Sequence, residues 1–289
     1  MKTGRTIALL AALSIGLGAP AAGLAQEARH DQTRAIAAPE HETLMRAARI
    51  DAMAQIVATE GARHGLGLEQ ALFPGRGGRA WERAVSAIQS PDRLAARVAE
   101  VLEHELSPQD AAAAARFLDG DPGRRITARE VSARRRMLDG EVEQEARSVS
   151  TMLARDGVPR AALIDEMIER MDLVSVNVMG GLNANYAFYR GLGDGGALRD
   201  RLTEDEMIAM VREQEDDIRA ATGVWLRSYL ALAYAPLTDA DLRAYVDFAT
   251  GPAGRRYMGA MSAAFGTVFE ETSYALGRAA ATFIVQQDA

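Results

Sequence analysis

Leu106 to Arg125 reads LSPQDAAAAARFLDGDPGRR, and Leu237 to Arg256 reads LTDADLRAYVDFATGPAGRR. The two stretches align without a gap at an offset of 131 positions and share Leu, a hydroxyl residue, Asp, Ala, Phe, Gly and a closing Gly-Arg-Arg. A unit used twice constrains architecture even where chemistry is silent, because each copy must bury an equivalent face. Ser107 and Thr238 stand where a helix cap belongs. Asp110 and Asp241 follow three residues on, where a carboxylate faces the positive end of the helix dipole. Leu106 and Leu237 precede the caps and are placed to staple onto Ala111 and Leu242. Phe117 and Phe248 fall on the expected core face. Gly120 or Gly251 ends the short helix and a nearby Pro starts the next, with Gly123 and Gly254 opening the Gly-Arg-Arg. Each copy therefore reads as a short helix, a tight Gly/Pro turn and a longer helix.

The remainder supports an all-α fold. Ala, Arg, Leu, Glu and Met dominate, which favours helix, and no sustained alternation of Val, Ile or Thr with polar residues signals a strand. Helical stripes run through Leu44–Val57 and again through Leu163, Met167, Met171, Val174 and Val178. The segments Gly65 to Gly78 and Gly191 to Gly196 are rich in breakers and read as loops. Thr203 to Glu206 forms a capping box. Long helices are expected from Pro122 to Asp156, with Gly140 the likeliest break, and from Pro252 to Gln286. Gly157-Val158-Pro159 marks the internal boundary. The expected architecture is two helical halves, 40–156 and 160–286, each ending in the repeated unit.

The [ST]-x-x-D start, the Phe that follows it and the Gly-Pro turn closing in Gly-Arg-Arg resemble domain-of-unknown-function family 2059, a group of exported proteobacterial helical domains. Phe248 to Arg256 is the closer copy; Phe117 to Arg125 has its Pro displaced by one position, and neither copy has the family's Tyr after Phe. The resemblance covers about 20–35 residues in each half. It implies an all-α exported domain and carries over no catalytic residue.

The N-terminus specifies a destination. Lys2 and Arg5 precede an apolar run, Ile7 to Leu17, that is too short to span a bilayer. Gly23-Leu24-Ala25 then offers small residues to a signal peptidase. Residues 1–25 are expected to be a signal peptide cut near Ala25, and 26–39 a flexible leader. The product is expected in the periplasm, or outside the cell, with no transmembrane segment left after cleavage. The chain has no Cys, so no disulfide supports it.

Lys2 is the only lysine. Its loss removes Schiff-base chemistry and phosphate-loop lysines from consideration. Cleavage leaves 31 basic against 40 acidic residues, a formal charge of −9. Such a chain is a poor nucleic-acid binder, because phosphate contacts need positive surface.

Candidate chemistry is sparse. Leu173 to Tyr189 has no charged residue but contains Asn177, Asn183, Asn185, Tyr186 and Tyr189. Buried polar groups need partners, which a ligand or the backbone can supply. This is the sequence's best candidate for a ligand site. Arg124, Arg125, Arg129, Arg134, Arg135 and Arg136 form the main basic concentration. They would contact an anion or an acidic partner, or else belong to a salt-bridged exposed helix with Glu130, Asp139 and Glu141. Glu100 and His104 read as a solvated helix face rather than a metal site. Met167/Met171, Met207/Met210 and Met258/Met261 have a spacing that thioether binding of Cu(I) would use, but they read as core filler. No catalytic triad, metal site or cofactor is expected.

The function expected is a non-catalytic binding or envelope-interaction module, with an envelope protein or small ligand as partner. The alternatives are a hydrolase-like enzyme whose site assembles only in three dimensions, and a peripheral membrane-surface protein acting through the Arg-rich helix.

Overall fold

The computed structural model describes residues 39–198 and 202–285. The signal and leader segments lie outside the described residues, except for Pro39. The described residues form helices and no strands. In chain order these are α1 (Pro39–Ala47), α2 (Ile50–Leu72), α3 (Gly78–Ile88), α4 (Pro91–Glu105), α5 (Pro108–Asp119), α6 (Gly123–Arg136) and α7 (Gly140–Arg155). Then follow α8 (Pro159–Arg170), α9 (Leu173–Asp194), α10 (Glu204–Arg212), α11 (Glu215–Tyr234), α12 (Asp239–Thr250) and α13 (Pro252–Val285).

The two aligned stretches become α5–α6 and α12–α13. Their caps form as the residue types require. The Ser107 hydroxyl accepts from the Asp110 amide, and Thr238 accepts from the Asp241 amide while the Asp241 carboxylate accepts from the Thr238 amide. Thr238→Ala should therefore lower stability by about 1 kcal/mol in urea unfolding, the usual worth of an N-cap; an unchanged midpoint would show the cap to be idle.

At the turns, a Cβ on Gly123 would fall 2.1 Å from the Phe117 carbonyl oxygen, and one on Gly254 would fall 1.9 Å from that of Phe248. The two stretches also meet each other. Phe117 stacks on Phe248 with ring centroids 4.0 Å apart. Arg125 pairs with Asp241 at 2.9 Å, and Arg256 with Asp110 at 2.7 Å. Contrary to the expected core placement, the two phenylalanines are half-buried. They cover the main core from its rim and shield one another.

The break expected at Gly140 occurs, and two expected loops shift. The first long helix breaks at Met137–Asp139, just before Gly140, whereas its counterpart runs unbroken as α13. Gly65 and Gly67 lie inside α2, and Gly191 and Gly193 inside α9. At two of these four positions the glycine serves packing rather than a turn. A Cβ on Gly65 would meet Val85 at 2.9 Å. One on Gly191 would lie 2.2 Å from the Tyr274 carbonyl oxygen, and across the same interface one on Gly277 would lie 2.3 Å from that of Phe188. These glycines let α9 and α13 approach backbone to backbone.

Helix α13 is the hub. It packs along α9 and also touches α2, α3, α4, α5 and α12. The main core takes side chains from both sides of Gly157, including Leu44, Ile50, Leu102 and Ile126 with Leu226, Tyr234, Tyr245 and Met261. A second cluster forms where Phe73, Trp81 and Phe283 pack ring against ring. None of the helices among the described residues is long and apolar enough to cross a membrane.

Candidate functional site

A cavity of about 40 Å³ lies inside the main core, between α2, α6, α8, α11, α12 and α13. Helix α6 sends Thr127, Glu130 and Val131 into its wall; α11 sends Tyr229 and Tyr234; α12 gives Tyr245, and α13 gives Tyr257 and Met261. The apolar remainder includes Ile50, Met53, Met167 and Met171.

Glu130 is the chemical centre of this wall. Its carboxylate accepts a 2.6 Å hydrogen bond from the Tyr234 hydroxyl and a second from Tyr245. The residue is half-buried and lines the cavity. Burial pushes its pKa up to about 7, and the two tyrosine hydrogen bonds only partly oppose that rise. Burial also holds Tyr229, Tyr234, Tyr245 and Tyr257 above the ordinary phenol range, so all four stay neutral at physiological pH. They act as hydroxyl donors and not as phenolates.

A buried ion pair stands beside the cavity. Arg134 is almost wholly buried, pairs with Glu60 at 2.7 Å, and lies over the Trp225 ring at 4.4 Å from its centroid. Trp225 in turn stacks on Tyr229, with centroids 5.0 Å apart. The indole thus sits one ring away from the cavity wall.

Two helix junctions border the cavity, and both are strained. Arg49 (φ 56°) and Asp172 (φ 49°) are the only described non-glycine residues in the left-handed region. Their chain neighbours Ala48 and Ile50, and Met171 and Leu173, line the cavity. Left-handed backbone at such residues is unfavourable, and it persists where the surroundings impose it, most often around functional sites.

The sequence-derived candidates fall elsewhere. Asn177 donates to the Leu173 carbonyl and Asn185 to the Gln214 side chain, both buried. Asn183 donates to Glu270 on the exposed face, and the Tyr186 hydroxyl to Glu204. Tyr189 is half-buried against the edge of the second core cluster. These five are spread around α9 and do not face the cavity described above. The Arg-rich segment divides. Arg134 turns inward, contrary to its grouping with the exposed cluster, because it shares the buried stripe of Ile126, Thr127 and Val131. Arg125 is held by Asp121 and Asp241. Arg124, Arg129, Arg135 and Arg136 are exposed. Glu130, expected to take part in a salt-bridged exposed helix, is half-buried and lines the cavity.

Sequence reasoning missed Glu130 and the four tyrosines. The available signal was that Glu130 stands four residues after Ile126 and four before Arg134, on the apolar stripe of α6. Among the described residues no three His, Asp or Glu side chains cluster in a way that would hold a metal ion. No family model, no curated protein and no solved structure matches this chain.

Proposed function

We propose that the chain is exported and acts as a non-catalytic binding module, with the Glu130–tyrosine cavity as its ligand site. The observation that carries this reading is a carboxylate kept inside the core, among neutral phenols, at the wall of unfilled space. A buried carboxylate is unfavourable without a compensating charge; Tyr234 and Tyr245 supply hydrogen bonds but no positive charge, which an incoming cation would add. The wall favours binding over turnover, since Glu130 is the one acidic side chain in the lining and no His, Lys or Arg stands with it there to share acid–base work. Export rests on the charge, apolar and small-residue zones of residues 1–25.

Trp225 supplies the assay. In a Trp81→Phe background its fluorescence is titrated with potassium, silver(I), ammonium and formate, each small enough for the cavity. A saturable change with at least one of them, lost in Glu130→Gln, is expected. Flat titrations throughout would defeat the binding reading, and steady turnover of ester, peptide or phosphate substrates by the protein would replace it with the enzyme alternative. N-terminal sequencing of the product from an exporting host should begin at Gln26.

We also infer that α5–α6 and α12–α13 descend from one duplicated hairpin. The support is that matched positions make matched contacts: Phe117 with Phe248, Asp110 with Arg256, and Asp241 with Arg125. The resemblance to domain-of-unknown-function family 2059 rests on the same residues. A second functional reading is favoured by Arg124, Arg129, Arg135 and Arg136, which have no ion-pair partner among the described residues. On this reading α6 contacts an anionic membrane surface or an acidic envelope protein. Cosedimentation with phosphatidylglycerol vesicles that salt abolishes would support the membrane form; equal binding to neutral vesicles would reject it.

A further inference from the structure

Four methionines, Met53, Met167, Met171 and Met261, line the same cavity as Glu130. They come from α2, α8, the junction after α8, and α13: Met167 and Met171 are one helical turn apart, and the fold brings that pair together with Met53 and Met261. All four are at most 7% exposed. Methionine is ordinary core filler, because a flexible thioether adapts to irregular gaps. Filler, however, closes space. Here the four methionines line space that remains open, and the wall they share carries a carboxylate, which apolar packing does not require.

The donor set selects a class of ligand. The chain has no cysteine, so no thiolate is available. The tyrosines are neutral, which leaves Glu130 as the only anionic oxygen ligand at the wall. A hard divalent cation needs several oxygen ligands and is poorly served. A soft monovalent ion is well served, because neutral thioethers satisfy it and a single carboxylate balances its charge. The volume suits a bare ion.

We propose that this cavity holds one cuprous ion on the thioethers of Met53, Met167, Met171 and Met261, with Glu130 balancing its charge. The proposal rests on the binding reading above and specifies its ligand. No electron transfer is involved: the ion enters and leaves as Cu(I), and the thioethers are neutral in both states. Tyr234 and Tyr245 orient the carboxylate through their hydroxyls and take no direct part in binding the metal.

The test is anaerobic competition for Cu(I) between the purified protein and the colorimetric chelator bicinchoninate. Wild type is expected to withdraw one equivalent. Met167→Leu/Met171→Leu, a volume-conserving change, should abolish the withdrawal while its circular dichroism and melting remain close to wild type. Glu130→Gln, which leaves the thioethers in place, should weaken binding by roughly 10- to 100-fold. X-ray absorption of the copper-loaded protein should show sulfur neighbours. Withdrawal that survives in the folded Leu double variant, or a copper shell without sulfur, would overturn the proposal. So would failure to withdraw copper at all. If copper fails but ammonium or potassium still changes Trp225 fluorescence in a Glu130-dependent way, the cuprous assignment falls and the binding reading stands. If every probe fails, both fall.

Discussion

Gly254→Ala is expected to destabilise the protein by about 3 kcal/mol, the upper end of overpacking changes, which for a chain of this size lowers the melting temperature by roughly 6–12 °C. The added methyl would fall 1.9 Å from the Phe248 carbonyl oxygen. That atom is backbone at the end of α12, so no rotamer change can relieve the overlap. Either α12 or α13 must move, and both are tied into the main core and to the Phe117–Phe248 stack. Gly123→Ala should behave alike, since its Cβ would meet the Phe117 carbonyl oxygen at 2.1 Å. The same helix supplies the controls. Nothing lies within 4 Å of a Cβ on Gly259 or Gly266, so alanine there should be neutral or stabilising by up to about 1 kcal/mol through helix propensity. Urea unfolding of the four variants decides the matter. Gly254→Ala melting no lower than Gly259→Ala would mean that the turn yields easily, and that the close approach of these helices contributes little.

The same glycines mark the limit of what the sequence discloses. The helical class, the caps at Ser107, Thr238 and Thr203, the Gly/Pro turns and the interruption just before Gly140 are local events. Each is decided by a few neighbouring side chains, and each is legible in order of residues. Gly65 and Gly191 are not decided locally. Their missing side chains make room for α3 and α13, partners distant in the chain, so from sequence alone they read as loop. Glu130 and Arg134 fail for a related reason. A charged residue amid other charged residues reads as solvent-facing, and only its phase on the helix places it inside. Asn177 and Asn185 stand out in sequence as polar groups in an apolar stretch, and each donates its amide N–H to a group of the chain itself. The cavity could not be read from sequence at all, because its wall is assembled from many separate segments, and no periodicity links Met53 to Tyr245.

Glu130→Gln is expected to stabilise the protein by about 2 kcal/mol at pH 8 relative to its effect at pH 5, at 1.36 kcal/mol per unit of pKa difference. Glu130 has a folded-state pKa raised to about 7 from an ordinary value of 4.5. The folded state therefore holds this proton more tightly than the unfolded chain does. Its contribution is fully present below the ordinary value and is lost as pH rises through 7. Glutamine keeps an oxygen for the Tyr234 and Tyr245 hydroxyls but cannot ionise, so the variant lacks that loss. Other groups tilt the curve. Burial lowers the pKa of His64, which favours the fold as pH rises toward neutrality. Asp110, held down chiefly by Arg256, and Asp241, held down chiefly by the Thr238 amide, act only at more acid pH, below their ordinary range. The difference between variant and wild type, measured by urea unfolding at each pH without added metal, cancels these shared terms and isolates Glu130. A difference that grows between pH 5 and 8 means that the native chain keeps an ionisable carboxylate at the cavity despite the stability it loses by doing so. A residue retained against stability is what a binding site requires and what a packing role does not explain. Parallel curves across that range would place Glu130 in contact with water and remove the electrostatic basis of the site.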